Sequence, residues 1–186
     1  MSGVIAEPLR HHGICLRSFD ERDAESFAAA VRESVTTVGR WMPWCHDSYS
    51  VAEACDWFAA CARGFADGSA YEFGLFSRDG DEFLGGAGLN QFNRQHNFAN
   101  LGYWVRASRQ REGVATRAVE ALVRFGFSEL SLGRIEIVVA EGNDASGRVA
   151  RKAGATFEGV ARNRLIVGGV PVAASVFSFI PGDAPA

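Results

Sequence analysis

The 186-residue sequence predicts a single α+β domain built on one central mixed, mostly antiparallel sheet flanked by helices. Three observations predict it. Short alternating strand runs between residues 71 and 105 are separated by turn residues, as in an antiparallel meander. A helix, an apolar strand run and a second helix then follow, as in a crossover segment. The length is within the roughly 250 residues that one hydrophobic core serves efficiently. One domain over 1–186, with its core at about 14–180, is therefore expected, with no linker and no internal repeat.

The elements follow in order. Ile14-Cys15-Leu16-Arg17-Ser18-Phe19 alternates apolar and polar side chains like a half-buried strand, and Asp20 with Asp23 suits a helix start. Ser50 and Glu53 form a capping box. Trp57, Phe58, Cys61 and Phe65 continue at helical spacing until Asp67-Gly68 stops the helix. Strands over 71–76 and 83–89 flank the turn Arg78-Asp79-Gly80-Asp81, and a third covers Phe98–Val105. Val114, Ala118, Ala121, Leu122 and Phe125 recur every three or four residues, which predicts a helix with one buried stripe beginning just after Gly113. Residues 135–140 are apolar except for Glu136, as in an interior strand, and Gly154 ends the short helix that follows. Strands over 157–160 and 172–180 close the sheet, and the tail 181–186 reads as loose.

Composition narrows the function. Hydrophobic residues make up 47% and charged residues 22%, which is a globular balance, and the net charge of −3 argues against a duplex-binding surface. No nucleic-acid partner is expected. Cys15, Cys45, Cys55 and Cys61 show no CxxC spacing, and His11, His12, His46 and His96 no HxxxH pair, so neither a metal site nor a disulfide is expected. No window nears the ~20 apolar residues of a membrane span, and residues 1–12 lack a signal-peptide pattern, so the expected address is the cytoplasm. A homodimer stays open.

The informative segment is Gly102-Tyr103-Trp104-Val105-Arg106-Ala107-Ser108-Arg109-Gln110-Arg111-Glu112-Gly113-Val114-Ala115-Thr116, a strand, a loop and a helix start. Unpaired N–H groups and the positive helix end converge there, and the small residues Gly113 and Ala115 let a phosphate approach the backbone. The loop lacks the Lys and Ser/Thr of a P-loop and the GxGxxG of a dinucleotide fold. Gly85-Gly86-Ala87-Gly88 restores neither, because it sits within a strand.

Gln110-Arg111-Glu112-Gly113-Val114-Ala115 resembles the Q/R-x-x-G-x-G/A loop of the GCN5-related N-acetyltransferase (GNAT) superfamily. Asn143-x-x-Ser146 with Gly154 and Phe157 resembles that family's next signature. Within it the likeness is to the RimJ/RimL type, on Leu101-Gly102-Tyr103-Trp104-Val105, Phe157-Glu158-Gly159 and Trp41-Met42-Pro43-Trp44. The resemblance implies transfer of acetyl from acetyl-CoA to a primary amine, a protein N-terminal α-amine of the ribosomal-protein type. A free small-molecule amine and a non-catalytic acyl-CoA sensor are the alternatives.

It also implies roles. Gln110, Arg111, Glu112, Gly113, Val114, Ala115 and Thr116 would hold the pyrophosphate, Trp104 and Val105 the pantetheine arm, and Asn143 and Ser146 the thioester end. The N–H near Val105 would polarise the thioester carbonyl, and Ser146 would act as the acid. Trp41, Pro43 and Trp44 would wall the acceptor groove. The base departs from the pattern: Asn100, Leu165 and Ala173-Ala174 stand where relatives carry ionisable groups. Glu72 and Glu141 remain as candidates, and Glu72 is taken as the catalytic one.

Overall fold

The computed structural model describes residues 8–183. β1 (Leu9–His11) turns through His12 and Gly13, both at positive φ, into β2 (Ile14–Arg17). α1 (Ala24–Glu33) and α2 (Val51–Asp67) follow, and then β3 (Tyr71–Ser77), β4 (Phe83–Asn93) and β5 (Phe98–Val105). α3 (Val114–Ser128), β6 (Arg134–Ala140), α4 (Asp144–Lys152), β7 (Thr156–Val167) and β8 (Val170–Phe179) complete the chain.

Local chemistry fixes the boundaries. The Ser50 hydroxyl accepts from the Glu53 N–H while the Glu53 carboxylate accepts from the Ser50 N–H, so two orphan donors at the start of α2 are satisfied reciprocally. Gly68, at φ 69°, ends that helix in the left-handed conformation that other residues adopt only with strain. Asp20 and Asp23 cap the turn that leads into α1 in the same reciprocal way.

The sheet runs β1-β2-β3-β4-β5-β6-β8-β7, and every neighbouring pair is antiparallel except β5 with β6. That parallel pair is joined only from Phe98↔Arg134 to Asn100↔Glu136. Beyond it both strands continue unpaired with each other, to Val105 and Ala140, and leave a wedge-shaped gap in the sheet.

Alternation sends side chains to two layers. Leu16, Leu75, Leu89, Leu101, Leu122 and Ile135 belong to the core shared with α3. Cys15, Phe76 and Phe83 belong to a second core with α1 and α2, centred on Phe27. Phe27 meets the rings of Phe19, Tyr49, Phe58, Phe83 and Trp104, and the burial of such a ring contributes about 1.5–3 kcal/mol.

The structure extends the sequence reading in four places. β1 is three residues long, too short to show a period. The strand expected over 157–160 runs on to Val167, because a register shift between Ala161 and Leu165 breaks the alternation there and the turn Gly168-Gly169 lies further on. Residues 41–44 form turns after a wide helical turn at Val35–Gly39. The first part of the tail, Pro181–Asp183, is an ordered turn in which Asp183 accepts from the Ile180 N–H, whereas 184–186 lie outside the described residues. All four cysteines are free thiols.

Candidate active site

α3 begins at the loop that the sequence singled out. Arg111 and Gly113 both take left-handed φ values, 68° and 78°, which curl successive N–H groups inward as in an anion-binding nest. No side chain caps this helix, and its first backbone bond is Arg117 N–H to Gly113 O. The N–H groups of Val114, Ala115 and Thr116 are therefore unspent by the helix and lie at its positive end. Among the described residues, no atom beyond its chain neighbours lies within 4 Å of where a Gly113 side chain would start, so the approach is open.

Neighbouring charges are committed elsewhere. Arg106 pairs with Glu33 at 2.7 Å, and this guanidinium, helped by Ser108, holds the Glu33 carboxyl down to about 2. Arg109 pairs with Glu82 at 2.7 Å and with Glu112 at 3.5 Å. Of the sequence candidates, Gln110 turns its amide inward, donating to Val105 O and Thr37 Oγ1, so its side chain braces the loop. Val114 is buried in the core, which leaves only its backbone facing outward.

The gap between β5 and β6 leads from this loop. Arg106 N–H donates to Leu84 O, so by the alternation of an antiparallel ladder the N–H and C=O of Val105 turn away from β4 toward the gap. At the gap, the Tyr103 hydroxyl donates to Ser146 O at 2.9 Å and lies 2.9 Å from Ser146 Oγ. Burial pushes the Tyr103 phenol up to about 12, so it stays protonated. Asn143 caps α4 by accepting the Ser146 N–H, which fixes the serine at the helix start.

Across the sheet lies a pocket of about 280 Å³. Its walls include Met42, Trp44, Tyr49, Trp57 and Trp104, and Glu72 and Asn90 provide polar groups. Glycines make the room. A Cβ at Gly88 would sit 2.1 Å from Glu72 Oε2, and one at Gly86 would sit 2.7 Å from the Trp104 indole nitrogen. Burial raises the Glu72 carboxyl above its usual range against the opposing bond from Asn90, 2.8 Å from Oε1. Asn100 donates in turn to Asn90 Oδ1 at 3.0 Å, so the strand position that lacks a carboxylate is wired to one two strands away.

Trp44 stands against Trp104, ring centroids 5.4 Å apart, at the pocket wall. Trp41 lies under the Arg40 guanidinium and reaches toward Gly142 in the loop after β6. Pro43 is exposed and lies outside the lining of this pocket. Glu141 is also exposed, in a separate shallow depression with Arg162 and Ala173. The sequence reading missed Tyr49, Trp57 and the glycine floor. Trp57 stands off the buried Phe58-Cys61-Phe65 stripe, which is the signal that could have marked it.

With this geometry the chain is similar to known proteins. The family model described as an acetyltransferase (GNAT) domain matches residues 14–156. A Bacillus subtilis protein named as a candidate ribosomal N-acetyltransferase is 31% identical over 162 residues, 84% of this chain and 85% of its own. A solved structure from Vibrio cholerae, titled as a candidate ribosomal-protein-serine acetyltransferase, is 33% identical, covers 97% of this chain and 100% of that one, and superposes with a TM-score of 0.83. RimJ of Mycobacterium smegmatis, solved with a CoA-disulfide, shares the fold at 24% identity and a TM-score of 0.86, covering 97% of this chain and 88% of that one.

Proposed function

The chain belongs to the GNAT acetyltransferase family and takes acetyl-CoA as its donor, and from that premise we propose that its acceptor is a protein N-terminal α-amine of the ribosomal-protein type. The observation that carries the proposal is the continuity of three features: the open α3 N-terminus, the β5–β6 gap with Tyr103 and Ser146 beside it, and the aromatic pocket across the sheet. The relatives named for ribosomal proteins support the acceptor class.

Acetyl-CoA supplies an activated acetyl thioester. The N–H groups of Val114, Ala115 and Thr116 bind its pyrophosphate, with Arg111 as the nearby cation. Val105 N–H faces the gap and polarises the thioester carbonyl, while the open β5 edge beside Trp104 aligns the arm. Ser146, held by Asn143 and Tyr103, donates a hydrogen bond to the departing sulfur. Glu72, in the pocket, accepts the proton of the incoming ammonium through water. Orientation does most of the work, with no covalent enzyme intermediate.

The test offers acetyl-CoA with peptides bearing free N-termini, the same peptides blocked at the N-terminus but carrying lysine, and polyamines, with mass spectrometry locating the acetyl group. Acetylation of the α-amine alone is expected. Turnover only on polyamines points to a small-molecule enzyme, and binding of acetyl-CoA with no turnover on any acceptor points to a sensor; either overturns the proposal. In the active enzyme, Ser146→Ala is expected to lower kcat about 10–100-fold, because Tyr103 and water replace part of its hydrogen bond. Asn143→Ala should also weaken acetyl-CoA binding, since the helix terminus loses its cap. A Ser146→Ala enzyme with full kcat across the pH range would reduce this serine to a structural role.

A further inference from the structure

The β1–β2 hairpin packs on α3 through polar groups that acetyl transfer does not use. His11 Nε2 lies 3.0 Å from Glu120 Oε2, and both side chains are largely shielded, 9% and 21% exposed. The His12 ring stands beside that of His11, with centroids 4.1 Å apart. One ligand atom from each of the three residues falls within 4.8 Å of the others. We propose that His11, His12 and Glu120 bind a divalent cation of the zinc type that fastens the β1–β2 hairpin to α3.

Donor chemistry selects the metal. Two imidazole nitrogens and one carboxylate oxygen suit zinc and its first-row neighbours and not calcium or magnesium, which demand more oxygens. Two ligands on a tetrahedral zinc, each at about 2.0–2.1 Å, stand about 3.3 Å apart, close to the His11–Glu120 separation. The His12 ring must swing inward, which a hairpin tip allows. The cation would take the place of the direct contact between His11 and Glu120. The nearby guanidinium of Arg117 donates to the carbonyls of His12, Gly113 and Glu112. The expectation of no metal site rested on local spacing, whereas this set joins residues 109 positions apart.

The experiment uses the full chain without a histidine tag. Zinc at a hundredfold excess over its dissociation constant is expected to raise the melting temperature by roughly 5–10 °C. Cobalt(II), added as a spectroscopic probe, should give visible bands of nitrogen and oxygen coordination. Glu120→Gln and His12→Asn should abolish both responses. Asn suits His12 because its φ of 42° is one that asparagine tolerates, so this variant keeps the turn. No response in the parent protein, undiminished responses in the variants, or a cobalt spectrum with thiolate charge-transfer bands, which would move the metal to the cysteines, each overturns the proposal.

Discussion

Replacing Gly113 by Glu is expected to raise the dissociation constant for acetyl-CoA by about 30-fold to 10⁴-fold while the protein stays folded. Two costs add. Gly113 holds φ 78°, where a side chain strains the backbone by about 1–2 kcal/mol, a strain the free loop sheds by relaxing and that binding must restore. A carboxylate about 4 Å from a bound phosphate costs about 1 kcal/mol in water and about 4 kcal/mol at an effective dielectric of 20. With about 1.4 kcal/mol per tenfold, the sum sets the range. Gly113→Ala isolates the first cost, because among the described residues no atom beyond its chain neighbours lies within 4 Å of the added Cβ. Calorimetric titration with acetyl-CoA reads both variants, and an unchanged affinity for Gly113→Glu removes the pyrophosphate from this loop.

Glu72→Gln is expected to lower kcat/KM about 10²–10⁴-fold at neutral pH and, at the same time, to stabilise the fold. Burial raises the Glu72 carboxyl above 4.5, so the native state binds its proton more tightly than the unfolded chain does. Stability is then lost as pH rises from about 4.5 through the raised value, and above it the ionised carboxylate is a standing cost. Glutamine keeps the Asn90 bond and avoids that cost. For activity the direction is opposite: kcat/KM should rise with pH through the same window as Glu72 becomes a base. Urea unfolding of both proteins at pH 4 and pH 8, beside a pH–rate profile, checks both. A variant of full activity, or one less stable than the parent at pH 8, refutes the assignment of Glu72 as a buried base.

Local signals in the sequence were sufficient wherever one segment completes its own physics. The capping box at Ser50 and Glu53, the stripe of α3 and the bounds of β5 depend on residues a turn or a few positions apart, and the structure has them where the sequence predicts them. The same holds for the start of α3, where the structure has a left-handed glycine directly before the helix. Gly85-Gly86-Ala87-Gly88 has no such local meaning. Its strand location excludes a phosphate loop but does not say that the missing Cβ atoms open a pocket for Glu72 and Trp104.

The sequence by itself determined the mixed sheet, the order of its central elements and the glycine turn that starts α3, because these follow from turn residues and side-chain periods along the chain, while Asn143 and Ser146 entered through the family resemblance. Tertiary structure alone decided which acid stands in the pocket. The sequence keeps both Glu72 and Glu141 as candidates while preferring Glu72, and strand register lays Glu72 over Gly88 and beside Asn90, where burial shifts its proton affinity, and leaves Glu141 exposed. It also decided that Tyr103 and Ser146, 43 residues apart, share a hydrogen bond, and that Trp57 rather than Pro43 walls the pocket. The reason is that desolvation and long-range contacts are properties of the packed whole, and no window of sequence contains them.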